Sequence, residues 1–460
     1  MTDTNISVAN VSFVRGKMDP ALPPPISESG IVGWMKKNLF SSTSNTIFTL
    51  IAIWLLYIIV PGFLQWSLFD AVWSGGDRLA CATTQQGGEL PVGWNAACWP
   101  YIGAYMKQFI YGRYPDHELW RVNIVFALFF IGLAPLLMPS IGFKKLNLIL
   151  MLGVFPLVAF ILLTGGSLNY SGFLLPNFIM APSLLKFWID FIILTAIVIG
   201  IVYGLMRATD SDPAPAVRQT LFAMGVLALV MLIASTDFGL EEVETDRWGG
   251  LMLTMVIAIT GIVASLPLGI LLALGRQSEM PFVRLFSVIF IEGWRGVPLI
   301  TVLFMSSVLL PLFLPDGVTF DKLLRALIGV ALFSAAYMAE VVRGGLQAIP
   351  KGQYEGAMAL GLSFWQSMRM IILPQALKIV IPGIVNTFIG LFKDTTLVSI
   401  IGLLDVLGMI NSSLSDPKWA TPVQALSGYL FGAALFFVFC FMMSRYSIFM
   451  ERKLDTGHKS

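Results

Sequence analysis

The sequence predicts an all-α, polytopic membrane protein with about ten transmembrane helices. Composition is the first sign: 57% of the 460 residues are hydrophobic and 12% charged, where a soluble domain has about 45–50% and about 25%. The second is a series of apolar runs near the length of about 20 residues that a helix needs to cross hydrocarbon. The third is the clustering of basic residues between alternate runs, the asymmetry that orients a multi-pass chain. Period-two alternation is absent, so the spans are expected to be helices, the open-ended structure that pairs its own backbone in lipid.

Residues 1–45 read as a polar tail with Pro20 and Pro23-Pro24-Pro25, ending in the basic pair Lys36-Lys37. The first apolar run starts near Thr46, too late and too long for a secretory leader. Spans are expected at 46–66, 122–139, 147–165, 187–206, 219–236, 251–275, 290–314, 323–346, 377–398 and 426–446. With the N-terminus inside, inside segments hold Arg15, Lys17, Lys144, Lys145, Arg207, Arg218, Arg276, Arg284, Arg343, Lys351, Arg369, Lys378, Arg445, Arg452, Lys453 and Lys459. Inside basic residues then outnumber outside ones by about two to one. The outside loop at 237–246 is acidic instead, with Asp237, Glu241, Glu242, Glu244 and Asp246. Both termini fall on the cytoplasmic side. The expected organisation is a five-helix extension at 46–247 with a large outside loop at 67–121, a five-helix block at 248–450 with an inside loop at 350–374, and a tail at 451–460.

Several function classes are disfavoured. A net charge of +2 gives no strong field for nucleic acid. His117 and His458 are the two histidines and both lie in polar segments, so neither a metal site nor a membrane-embedded enzyme is expected. Cys440 sits in an apolar run and reads as a small buried hydrophobe. Cys81 and Cys98 share the 67–121 loop, where an oxidising compartment would let a disulfide persist if they meet. No G-x-x-x-x-G-K-[ST] phosphate loop occurs, so the chain is not expected to hydrolyse ATP. No internal repeat favours an inverted-repeat secondary transporter.

The inside loop carries the strongest pattern. Tyr354 to Leu360 has helix-forming composition, with Ala357, Met358 and Leu360 able to form an apolar face. Gly361 can take the left-handed conformation that ends a helix. Ser363 can cap a second helix running through Phe364-Trp365-Gln366 to Ile372, with Pro374 as its stop. Such a helix-turn-helix suits a groove on a partner, with Glu355 placed for a charge-assisted contact.

Glu355-Gly356-Ala357, Gly361 and Ile371-Ile372-Leu373-Pro374 together resemble the EAA motif of ABC-importer permeases, with Gly356 where Ala is commoner. From about 248 to 450 the resemblance narrows to the polar amino-acid permeases. It is carried by Arg295-Gly296-Val297-Pro298-Leu299, Ser334-Ala335-Ala336-Tyr337-Met338-Ala339-Glu340, Arg343-Gly344-Gly345, Ile349-Pro350-Lys351-Gly352-Gln353, Leu373-Pro374-Gln375-Ala376 and Phe392-Lys393-Asp394-Thr395-Thr396-Leu397. With its long N-terminal extension the whole chain is similar to the M-type permease of the general L-amino-acid transporter. The resemblance implies a type I ABC-importer permease core in the C-terminal half and an inner-membrane location. It implies a second homologous permease, an ATP-binding subunit dimer that handles ATP and Mg, a periplasmic amino-acid-binding protein, and a polar L-amino acid as cargo. Glu355, Gly356, Ala357, Gly361, Leu373 and Pro374 are then the ATPase-coupling residues. An ion-coupled secondary amino-acid transporter is the alternative, and it would need no coupling loop.

Ionisable groups at membrane depth cost about 2.5–3.5 kcal/mol each, so they tend to be functional or paired. Glu292 and Arg295 can share a helix face, as can Glu340 and Arg343. An amino acid needs an acceptor for its ammonium and donors for its carboxylate. Asp394 can supply the first; Lys393, Asn386 and Thr395 the second. Glu292, Arg295, Asn386, Lys393, Asp394 and Thr395 are therefore candidate pathway residues, against the reading that each ion pair staples helices. Glu340 and Arg343 are better read as a staple, and Asp190 as a snorkelling or paired group near a membrane edge.

Overall fold

A computed structural model describes residues 30–166, 174–175, 179–181, 183–208, 212–313 and 320–454. Arg15, Lys17, the Pro20–Pro25 stretch, His458 and Lys459 lie outside the described residues. Helices dominate: α1 Gly30–Asn38, α2 Thr43–Phe69, α3 Trp99–Tyr111, α4 Leu119–Leu137, α5 Lys144–Thr164, α6 Leu184–Ala208, α7 Pro213–Ala234 and α8 Gly250–Arg276. They continue with α9 Pro281–Arg295, α10 Leu299–Phe313, α11 Lys322–Gln347, α12 Lys351–Ala359, α13 at 364–379, α14 Ile381–Ile401, α15 Val406–Ser413 and α16 Gln424–Leu454. Among the described residues only isolated β-bridges form, not strands.

The described residues fall into two compact units, 30–71 with 95–97 and the rest of them. In the first, α1 occupies part of the expected polar tail, and Ser42 caps α2 by accepting the Asn45 N–H. Helix α2 is apolar all round and its most apolar window buries nothing, which is the surface of a helix solvated by lipid.

In the second unit, close packing centres on α8 and α11. Gly261, Ser265 and Gly269 recur every four residues along one face of α8, and all three are buried. A Cβ at Gly269 would lie 2.7 Å from Met338 Cβ on α11. Small residues at this spacing let two backbones approach in a medium that gives no hydrophobic push between helices. Ala273, Ile291, Met338, Ala339, Val342, Ile372 and Ala376 continue that contact as one buried cluster.

Nine helices among the described residues are long and apolar enough to span a membrane. The expected tenth span at 290–314 is not one rod. It is the pair α9 and α10, bent by 103°. Pro298 lacks an amide hydrogen and sits extended at φ −62° and ψ 144°, so the helix cannot continue through Gly296-Val297-Pro298. The last span also runs past its expected end, to Leu454.

Hydrogen bonds gather alternate helix ends. Val243 N–H reaches Thr164 O at 2.9 Å, Gly250 N–H reaches Leu404 O at 3.0 Å, and Thr245 Oγ1 reaches Asp321 Oδ2 at 2.5 Å. That set defines one end of the bundle, the cap end. At the opposite end, the loop end, Tyr446 Oη donates to Leu137 O at 3.1 Å and Tyr354 Oη to Leu346 O at 3.2 Å.

Candidate functional site

The loop end carries α12 and α13, and local signals explain both. Helix α12 ends in a Schellman turn: Leu362 N–H bonds Ala357 O at 3.3 Å and Gly361 N–H bonds Met358 O at 2.9 Å. Gly361 holds φ +70°, as that turn requires. Ser363 then caps α13 in a reciprocal box with Gln366, whose Oε1 accepts Ser363 N–H at 2.9 Å. Pro374 does not stop the second helix. A π-turn over Met368–Ile372 precedes Leu373–Ile379, and Pro374 lies at the start of that last segment, where a missing N–H is tolerated. The helix therefore runs on to Ile379.

The loop is seated firmly from below. A Cβ at Gly345 would fall 2.7 Å from Ala376 O, so α11 and α13 touch through backbone. Gln375 Nε2 donates to Gln353 Oε1 at 3.1 Å and ties α13 to α12. Burial pushes the Tyr354 phenol pKa up, so it stays a donor. Of the three residues expected to share an apolar face, Ala357 is buried, while Met358 and Leu360 are not. Met358, Leu360, Phe364 and Trp365 are exposed, and so is Glu355. The outward surface thus sets the Glu355 carboxylate beside an apolar patch, with Lys351 and Arg369 also exposed, on helices fixed at their bases.

The pathway candidates do not form one site. Glu292 and Arg295 lie on α9 but take partners on other helices. Arg276 Nη1 meets Glu292 Oε1 at 2.8 Å, and Arg295 Nη1 lies 3.5 Å from Glu340 Oε2. Arg276 also lies 3.6 Å from Glu340, which pairs with Arg343 on its own helix. The 103° bend lets α9 cross the ends of α8 and α11, so the pairing is between helices and not along one. Three arginines against two carboxylates leave one positive charge. Arg295 Nε is buried without a hydrogen-bond partner, and its guanidinium lies 5.7 Å from the Tyr337 ring centre. Sequence reading passed over Arg276, which joins the network only through three-dimensional packing.

Asn386, Lys393, Asp394 and Thr395 are separate from that network, on α14. Asn386 and Lys393 are exposed and Asp394 half-buried. Thr395 is buried, and its hydroxyl donates to Phe392 O at 2.8 Å, so its proton is already committed. Asp190 is buried rather than snorkelling, and its carboxylate accepts Leu174 and Leu175 N–H at 2.8 and 3.1 Å.

At the cap end, Cys81 and Cys98 are joined in a disulfide. Cys440 packs among apolar residues of a different cluster. Arg121 is fully buried and pairs with Glu118, while His117 lies 2.7 Å from Glu241. That contact raises the His117 pKa. Asp405 caps α15 through Gly408 N–H at 2.9 Å, its other oxygen is orphaned, and burial pushes its pKa up to about 6.

Comparison with known proteins agrees with this architecture. Residues 265–455 match a family described as "Binding-protein-dependent transport system inner membrane component". Over 438 residues the chain is 41% identical to the inner membrane amino-acid ABC transporter permease protein YhdY of Escherichia coli strain K12, covering 95% of this chain and 97% of that one. Over 460 residues it is 42% identical to the glutamate/glutamine/aspartate/asparagine transport system permease protein BztC of Rhodobacter capsulatus, covering 98% and 100%. The glutamate/aspartate import permease protein GltK of Escherichia coli O157:H7 is 32% identical over 209 residues, which is 44% of this chain and 91% of that one.

Proposed function

We propose, because this chain belongs to the amino-acid permeases of binding-protein-dependent ABC importers, that it moves polar L-amino acids inward and couples to a separate ATPase through α12 and α13. The chain is a multi-pass inner-membrane permease subunit and not itself an enzyme. The coupling assignment rests on one observation above others. The loop end presents Glu355 beside exposed Met358, Leu360, Phe364 and Trp365, on two short helices locked by a Schellman turn and a capping box. A rigid helix pair with an exposed carboxylate beside an apolar patch is built to seat in a groove.

In this reading the loop end is cytoplasmic, as are both termini, and the cap end faces the periplasm. Gly356 and Ala357 keep α12 slim, Gly361 sets the turn, and Leu373 and Pro374 start the last segment of α13, which leads toward α14. ATP and Mg act on the partner subunit, a dimer, and a second homologous permease supplies the other contact. A periplasmic binding protein delivers the amino acid at the cap end. Nucleotide-driven movement of the ATPases biases a two-state equilibrium of the spans. The names of the relatives support an amino-acid cargo, with acidic amino acids and their amides the leading class. For the pathway, Lys393 and Asp394 are the favoured pair. Glu292 and Arg295 are better assigned to the network that joins α8, α9 and α11 at the loop end.

The test is Glu355→Lys in the assembled importer. The ATPase should no longer co-purify and amino-acid uptake should fail, while membrane insertion persists. Retained uptake with normal ATPase assembly sinks the coupling assignment.

A further inference from the structure

We propose that α3 is a positioning element of the transport machinery, a clamp that holds the cap ends of α8, α15 and α16 as one body. The proposal rests on the orientation given above, and it assigns a role to a segment that lies outside the matched family region. Helix α3 belongs to the 67–121 loop, yet it packs into the C-terminal half. Its Tyr101, Ile102 and Phe109 share a buried cluster with Val406, Met409 and Ile410 of α15, and with Trp419 and Val423.

Polar contacts fix the direction of each link. Ser413 Oγ donates to Ile410 O at 2.7 Å, so the Tyr101 hydroxyl, 2.5 Å away, is the donor to Ser413. Ser427 Oγ gives its proton to Val423 O at 3.0 Å and accepts Cys98 N–H at 2.9 Å. Tyr105 Oη donates to Asp416. These three bonds engage α15, the start of α16 and the segment between them. At the start of α8 the approach is through backbone. A Cβ at Gly250 would lie 2.3 Å from Phe109 O, and one at Gly112 would lie 2.4 Å from Gly249 Cα. The Cys81–Cys98 disulfide closes the N-terminal end of α3, and Trp73 stacks on Trp99 with ring centres 5.5 Å apart.

Alternating access requires the periplasmic ends of spans to separate and rejoin. Two of this permease's core elements, α15 and α16, are hydrogen-bonded to one insert, and a third, α8, packs against it backbone to backbone, so their outer ends cannot separate from each other without breaking those contacts. They shift together, and Tyr101, Tyr105 and Cys98 set their spacing.

The test measures amide exchange over 406–413 and 424–431 in the purified full-length chain, alongside uptake by the assembled importer. Tyr105→Phe removes one bond, and a phosphine reductant applied to the folded protein opens the disulfide without a refolding step. Each should speed exchange over 406–413, by about fivefold for the single hydrogen bond. Maximal uptake should fall while ATPase co-purification is unchanged. Asp416→Asn keeps an acceptor for Tyr105 and should behave like the parent. Unchanged exchange after both treatments overturns the clamp. Faster exchange with full uptake, or a Tyr105→Phe chain that no longer assembles, overturns the positioning role. Exchange is read on the isolated chain, so a failure here is separable from a failure of ATPase coupling.

Discussion

Two glycines in the coupling loop should respond to alanine with opposite signs. Neither Gly356 nor Gly361 has a heavy atom within 4 Å of where a Cβ would sit, so steric crowding is equal and negligible. Only backbone conformation differs. Gly356 is inside α12 with ordinary helical geometry, and Gly361 holds φ +70° in the Schellman turn. Gly356→Ala removes unfolded-chain entropy and should stabilise the helix by about 0.5–1 kcal/mol. Gly361→Ala forces an L-residue into the left-handed region, at about 1–2 kcal/mol. The second change multiplies the frayed population of the loop by roughly 5–30-fold. Amide exchange at Gly361 and Leu362, whose N–H groups make the two turn bonds, reads that population directly. Uptake should hold in Gly356→Ala and drop in Gly361→Ala. Equal exchange in the two variants, or slower exchange in Gly361→Ala, would refute the assignment of this turn.

Three further outcomes are expected. Asp405 has a folded pKa of about 6 against about 3.9 in the unfolded chain, so the folded state holds its proton more tightly. Stability from this group is full below pH 4 and is lost as pH rises through 6, a change of at most about 3 kcal/mol. Asp405→Asn keeps the cap and should raise the Tm at pH 7.5 while flattening its decline between pH 4 and 6. A lower Tm at pH 7.5 contradicts this. Gly269→Leu drives a side chain into Met338 and the Ala339 amide, whereas Gly293→Ala meets open space. The first should cost about 1–3 kcal/mol or more and reduce folded yield on size-exclusion chromatography, with the second near the parent. Asp394→Asn should change amino-acid preference or uptake rate with ATPase co-purification intact, and identical uptake across a panel of acidic, amide and basic amino acids removes it from the pathway.

What could be read in the sequence was what short stretches encode. A span announces itself through about 20 apolar residues. Gly361 and Ser363 announce a helix end and a helix start because turn chemistry is local. The bend at 296–298 escaped the hydropathy reading, which averages across it, although Pro298 was the signal within the expected span. Pro374 misled for a related reason: a proline that stops one helix also starts the next, and the π-turn before it has no sequence signature of its own. Pairings across helices were not legible. Glu292 chose Arg276, 16 residues away on α8, over Arg295 on its own helix. Tyr105 and Asp416 stand 311 positions apart, and no periodicity relates them. The role of the 67–121 loop depended on those distant contacts, so only the Cys81 and Cys98 pair hinted at an ordered element there.

The central claim, that α12 and α13 seat in a separate ATPase, is tested most directly by site-specific cross-linking. Met358 is 67% exposed on the outward surface, and Met358→Cys labelled with a thiol-reactive photo-cross-linker, which inserts into any nearby side chain, should capture the ATPase in native membranes. The cross-link should vanish in Met358→Cys/Glu355→Lys. A cysteine at 358 that captures no ATP-binding protein while the importer remains active contradicts the account.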